Sequence, residues 1–283
     1  MADAEPTTDP ASEDPRAGVR VTFDKVADTY DAVGVEFMGP IAAGLVAELA
    51  VQPGERVLDV GCGRGAALLR LAAATGDTGR VTGIDLSPRM IELTAADVLA
   101  AGLGGSVDVR VGDAEDPGVA GGSIDVIASS LVLFFLPDPT AALASWRRAL
   151  VDGGRVGVST FGPLNPEWDV DQIFRPYVPE NLPDPRYRVG GPFASDSAME
   201  EMVAGAGFVD ARTVTTTVSA RFADAEHWER WSRSAGQRRI WDTIPDDEVE
   251  AVRADAAARL DRCRRPDGAM GFDQGVRYTL ARR

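Results

Sequence analysis

Lysine is nearly missing from this chain. Lys25 is the only one, and arginine supplies almost all of the positive charge. Acidic residues dominate, and the formal net charge is -15 over 283 residues. Phosphate backbones need a basic surface, so this balance argues against nucleic acid as a substrate and against anionic membrane surfaces. Cysteine is scarce too. Cys62 and Cys263 do not make a disulfide scaffold. Long apolar runs are absent: the longest, Leu131 to Pro137, is far too short to span a bilayer, and the acidic N-terminus lacks the features of a secretory signal. A cytoplasmic location is expected. No His, Cys or carboxylate cluster has metal-ligand spacing, so no protein-held metal is expected. A magnesium ion held partly through substrate oxygens would leave no trace in sequence.

What is present is ordinary globular material, 45% hydrophobic and 26% charged, enough for one well-buried domain with insertions. Residues 1–18, with Pro6, Pro10, Pro15 and several acids, read as a disordered acidic tail. Helices are predicted at 22–31 and 38–51. Strands at 56–60, 80–85, 107–111, 124–129 and 154–160 then alternate with helices at 65–75, 88–101 and 139–150. That alternation predicts a parallel α/β sheet covered on both faces.

The most informative stretch is Val57-Leu58-Asp59-Val60-Gly61-Cys62-Gly63-Arg64-Gly65. It reads as a buried strand entering a tight glycine turn, with an apolar helix behind it. Glycine lets the backbone turn sharply and lets a ligand lie against main chain. The helix start offers unpaired N–H groups to polar ligand atoms. Asp85 ends the second strand, where a carboxylate can accept both ribose hydroxyls. Asp113 follows the third strand, where a carboxylate can accept from an adenine amino group. Each acid alone has a plain reading as a helix cap or a loop residue. All three fall where ligands bind in open α/β sheets, at the carboxyl ends of strands. An adenosine-containing cofactor is therefore expected. The turn also fits the dinucleotide pattern G-x-G-x-x-G/A. Asp59 inside the strand end, residues 1–56 ahead of the motif, and the third acidic motif weigh against NAD.

Together, these features resemble the class I S-adenosyl-L-methionine (SAM)-dependent methyltransferases. Residues 57–65, 81–86 and 111–116 resemble the family's first three motifs, 122–131 its fourth-strand motif, and 150–156 the turn into strand five. Phe23 to Asp31 resembles the N-terminal helix of its small-molecule branch. The close match covers roughly residues 20–160. The resemblance implies a Rossmann-like α/β fold: a seven-stranded sheet with helices on both faces and a helical lid. Its cofactor is SAM. It implies that Asp59, Gly61 and Gly63 cradle the methionine end, that Asp85 holds the ribose and that Leu86 lies beneath the adenine. Asp113 and Ala114 reach the adenine edge, Ser129 or Ser130 borders the sulfonium, and Tyr30 closes the pocket.

The remainder divides into a lid insertion at 162–195, a core helix and strand at 196–222, a helical lid insertion at 223–268 and a final strand at 269–283. A short helix is expected near 166–175. Trp168, Trp228, Trp231 and Trp241 fall in the lid segments, and Trp146 in the core. These indoles read equally as a satellite core and as an apolar pocket for a polyketide, aromatic or terpenoid substrate. O-methylation needs a base. Many small-molecule relatives carry a histidine after strand four, where this chain has Phe134 and Phe135. The candidate bases are therefore His227, Glu167, Asp169 and Tyr177. His227, the only histidine, has a structural reading beside the catalytic one. Arg233, Arg238 and Arg239 read as a solvated face or as a receptor for an anionic substrate. The expected activity is methyl transfer to a small secondary metabolite, at oxygen or carbon. The alternative is a protein that keeps the fold without methylating, as a cyclase or a binding scaffold. The expected partner is a small-molecule substrate, with no nucleic acid and no membrane; a homo-oligomer is left open.

Overall fold

The computed structural model describes residues 15–163, 167–178, 191–265 and 267–283. Two helices come first, α1 (Pro15–Val26) and α2 (Met38–Leu49). A βα alternation follows: β1 (Arg56–Val60), α3 (Leu68–Thr75), β2 (Arg80–Asp85), α4 (Pro88–Ala100), β3 (Val107–Val111), β4 (Ile124–Ser130), α5 (Pro139–Ala149) and β5 (Leu150–Phe161). Then come α6 (Asp196–Gly205), β6 (Val209–Phe222), α7 (Ala225–Arg233), α8 (Arg238–Trp241), α9 (Val249–Arg262) and β7 (Met270–Arg282). The seven strands form one sheet in the order β3-β2-β1-β4-β5-β7-β6. The first five are parallel, and β7 runs antiparallel to both β5 and β6.

Local sequence sets the element starts. Ser87 caps α4 by accepting the Met90 N–H, and Pro88 takes the first helical position, where its missing N–H costs nothing. Asp138 and Pro139 repeat the device at α5, and Ser195 and Asp224 cap α6 and α7. Alternate strand residues feed opposite faces. Val57 and Val126 join a core with α2, α3 and the lid; Leu58, Val60 and Ile127 join a core with α5 and α6.

The predicted β1, β2 and β3 keep their bounds. Several other expectations are corrected. Residues 15–18, read as tail, begin α1, which stops at Val26 instead of running to 31; residues 1–14 lie outside the described residues. Strand β5 extends to Leu150–Phe161. The expected helix near 166–175 is a 3₁₀ helix at Val170–Tyr177, and residue 166 itself is not among those described. The long helical insertion is three helices, broken at Ser234 and Asp242. It does separate β6 from β7, as expected.

Tryptophans of the inserted segments join the main core on that face of the sheet rather than forming a satellite core. Phe174 stacks near Trp228 and meets Trp241 edge-on at 5.3 Å; Trp168 lies 4.5 Å from Phe272. Trp168, Trp228 and Trp241 are buried. Among the described residues, no helix is long and apolar enough to cross a membrane.

Candidate active site

The glycine turn leaves β1 at Gly61 and bends back under the end of β2. The Gly61 and Cys62 N–H groups both donate to the Ile84 carbonyl, at 2.8 and 2.9 Å. Gly61 has φ +71°, and a Cβ there would lie 2.3 Å from Val132 Cγ2. Only glycine fits that turn. Leu131, opposite, also has positive φ (+61°), an uncommon state for a branched residue and one that clusters at functional sites.

Asp59 sits at the floor. It is 1% exposed, and neither carboxyl oxygen makes a hydrogen bond. Burial, aided by the nearby Asp85 charge, pushes its pKa up to about 7; the Leu68 amide, too poorly placed to be a hydrogen-bond partner of either oxygen, acts in the opposite sense. An unpaired buried carboxyl of this kind suits a cationic ligand group. Asp85 is held differently. Its Oδ2 accepts the Gly63 N–H at 2.8 Å, and its Oδ1 accepts the Ser87 N–H at 2.9 Å. Burial raises its pKa and these two amides pull it back. Each oxygen keeps a lone pair for a further donor.

Tyr30, Met38, Arg64 and Ser130 complete the cleft. The Ser130 and Ser159 hydroxyls pair at 2.9 Å. Burial, then Asp31 and Asp85, push the Tyr30 phenol well above its usual range, so it is a hydrogen-bond donor and not a base. Helix α1 lies across the ends of β2 and β3. Arg16 Nη1 donates to Asp113 Oδ2 at 2.5 Å, Ser87 Oγ to Asp24 at 2.5 Å, and Arg64 Nη1 to the Ala27 carbonyl at 2.9 Å. The free space at the glycine turn is small, about 40 Å³, and is lined by Tyr30, Met38 and the turn itself. A larger open groove of about 470 Å³, lined by Glu36, Thr217 and Arg221 among others, lies along β6 and holds none of the strand-end acids.

An arc of rings links the cleft to the lid. Tyr30 meets Phe23 at 6.0 Å, Phe23 meets Phe135 at 5.4 Å, and Phe135 meets Phe134 at 4.7 Å. Phe134 stacks on Phe161, Phe161 on Phe37, and Phe37 meets Trp231 edge-on at 5.6 Å.

The structure brings Tyr30, Asp59, Gly61, Gly63 and Ser130 around one cleft, with Asp85 bound to its turn. Ser129 is turned away. Strand alternation points it inward, where its hydroxyl donates to the Val60 carbonyl at 3.0 Å. Asp113 is reached by Arg16, and the Ala114 carbonyl accepts the Trp146 indole N–H at 2.6 Å. Leu86 follows Asp85 directly and is half-buried.

The candidate bases have partners elsewhere. His227 Nδ1 accepts the Ala223 N–H at 3.2 Å, so Nε2 carries the proton and donates to the Val33 carbonyl at 2.8 Å. The ring clasps α7 to the segment after α1. The Tyr177 hydroxyl donates to Glu248 at 2.6 Å. Asp169 pairs with Arg259 and Arg262. Glu167 is exposed, and its carbonyl faces Cys263. The arginines of the lid are paired as well: Arg233 with Glu229 and the Trp241 face, Arg238 with Asp242; Arg239 is exposed. Sequence reasoning missed Arg16, Met38, Arg64 and Leu131. Arg16 was hidden by its Pro-rich surroundings, and the Leu131 backbone state carries no residue signal.

Comparison with known proteins places these features in a family. Residues 58–158 match the model of a methyltransferase domain. Nocamycin O-methyltransferase of Saccharothrix syringae is 36% identical over 254 residues, spanning 85% of this chain and 90% of that protein. Aklanonic acid methyltransferase DauC of a Streptomyces species (strain C5) is 40% identical over 171 residues, 58% of this chain and 74% of that protein. Among solved structures, the cyclase SpnF aligns with a TM-score of 0.54 at 21% identity, covering 87% of this chain and 80% of that one. At that identity the likeness speaks for the fold alone.

Proposed function

Because this chain belongs to the class I SAM-dependent methyltransferases of the natural-product branch, we propose that it methylates an oxygen of an apolar, ring-containing secondary metabolite. The observation that carries this reading is the joining of two features in one cleft. An unpaired buried carboxyl, Asp59, lies behind a Cβ-free turn, and an arc of aromatic rings leads away from it. The first suits the ammonium end of SAM; the second suits an apolar acceptor. Oxygen as the methylated atom is supported by the name of the relative from Saccharothrix syringae.

The residues present fit the cofactor. Asp59, Gly61 and Gly63 would hold its methionine end, Asp85 its ribose, and Asp113 with Ala114 its adenine edge. Bound SAM supplies an activated sulfonium methyl. The chain's own task is then to position the acceptor and to exclude water. Ser130, hydrogen-bonded to Ser159, would border the sulfonium, and the Tyr30 phenol would close that end as a donor. Phe134, Phe135 and Phe161 orient the acceptor rings over Leu131.

The test is calorimetric titration with S-adenosylhomocysteine and with NAD, followed by turnover with fused-ring phenols. Binding of the first alone, with S-adenosylhomocysteine released from SAM on turnover, supports the reading. Binding without turnover of any acceptor favours the scaffold alternative.

A further inference from the structure

Two covers meet over the cleft. Helix α1 covers the nucleoside side, through Arg16, Asp24 and Ala27 as described. Helix α8 belongs to the lid on the acceptor side. It is keyed firmly into that lid: Trp241 donates to Ser232 Oγ at 2.8 Å, and the Arg233 guanidinium lies 4.0 Å from the Trp241 ring centroid. Among the described residues, a polar joint connects the two covers. Lys25 Nζ donates to Asp242 Oδ2 at 2.9 Å, while Asp242 Oδ1 accepts from Arg238 Nε at 2.7 Å. Close by, Phe23 of α1 packs edge-on to Phe135, and a Cβ at Gly236, just before α8, would lie 3.8 Å from Phe135.

Arg16 already occupies Asp113, and Asp24 is bonded to Ser87 beside Asp85, so α1 must lift for a nucleoside to reach those two acids. We propose that the Lys25–Asp242 pair couples this motion to the lid, making Lys25 a positioning residue that sets α8 over the acceptor when α1 closes on the cofactor. The inference rests on the methyltransferase reading of the cleft. It assigns the chain's only lysine to the boundary between the two covers. Lys25 and Asp242 are 51% and 31% exposed. Such a pair contributes little to stability, which leaves it free to break and reform.

Hydrogen exchange with and without S-adenosylhomocysteine tests this. In the wild type, the ligand should slow exchange at residues 57–66, in α1, and at residues 236–244. Lys25→Met should keep the first two protections and lose the third, with affinity weakened about threefold, as for an exposed pair. Arg238→Met, which spares the Lys25 contact, should keep all three. Protection of 236–244 that persists in Lys25→Met, or is absent from the wild type while 57–66 is protected, overturns the coupling. Failure to protect 57–66 in the wild type removes the cleft reading as well, and so is distinguishable.

Discussion

Asp59 and Asp85 end adjacent parallel strands and share one cleft, yet only one of them is paired. Asp85 accepts two backbone amides, and Asp59 accepts none. Two carboxyls in one site, set apart by their environments, have separate tasks. Asp85 shapes the turn, and Asp59 is left buried without a partner.

Asp59→Asn should stabilise the ligand-free protein above neutral pH. The folded pKa is raised from 3.8 to about 7, so the native state binds the extra proton. Stability contributed by Asp59 is therefore lost as pH rises from about 4 to 7. Three pKa units correspond to about 4 kcal/mol. Burying an unpaired Asn amide returns part of that, leaving a gain of about 2 kcal/mol at pH 8. Below about pH 4, where the carboxyl becomes neutral in both states, only the amide cost remains and the variant should be less stable by about 2 kcal/mol. Urea unfolding of both proteins across pH checks this, and a difference independent of pH would refute the assignment.

Asp85→Asn should weaken S-adenosylhomocysteine at least about tenfold, since hydrogen bonds to a charged acceptor are worth more than neutral ones. Titration calorimetry gives the affinity. An unchanged Kd would mean that Asp85 serves the turn alone.

Gly61→Ala puts a methyl against Val132 and strains a positive φ. A cost of about 1–3 kcal/mol in stability is expected, with loss of cofactor binding. Trimming the partner should separate the two causes. Gly61→Ala with Val132→Ala relieves the clash but keeps the φ strain, and should recover only part of the loss in thermal unfolding.

His227→Ala should lower the melting temperature while leaving the pH profile of kcat unchanged, because both ring nitrogens already bond main chain. Loss of these two bonds corresponds to about 1–3 kcal/mol. A kcat that collapses in a variant that is still folded would restore His227 as the base.

Most of the cofactor side was legible in the sequence, because its determinants are local. A glycine turn, an acid at a strand end and a Ser-Pro cap each carry their own signal within a few residues. Asp59, Asp85 and Ser130 follow from that. The direction of Ser129 follows only from the pleat, one residue out of phase with Ser130. The acceptor side was not legible. Its rings come from α1, β5, the 3₁₀ turn at Leu133–Phe135 and the lid. No spacing rule connects Phe23 to Phe135 or Phe37 to Trp231. The same holds for the histidine, whose partner Val33 lies 194 residues away in sequence.

The lid leaves the sheet at Phe222 and returns at Met270, and these two residues are register partners across β6 and β7. Whatever folds between them starts and finishes at a single point on the sheet. It behaves as a cassette at a hairpin tip. Its length and sequence can change without shifting any strand, so a hairpin closed there by a short turn should still keep the seven-stranded order. The segment between Phe222 and Met270 is thus free to diverge while the strand ends around Asp59 and Asp85 stay fixed.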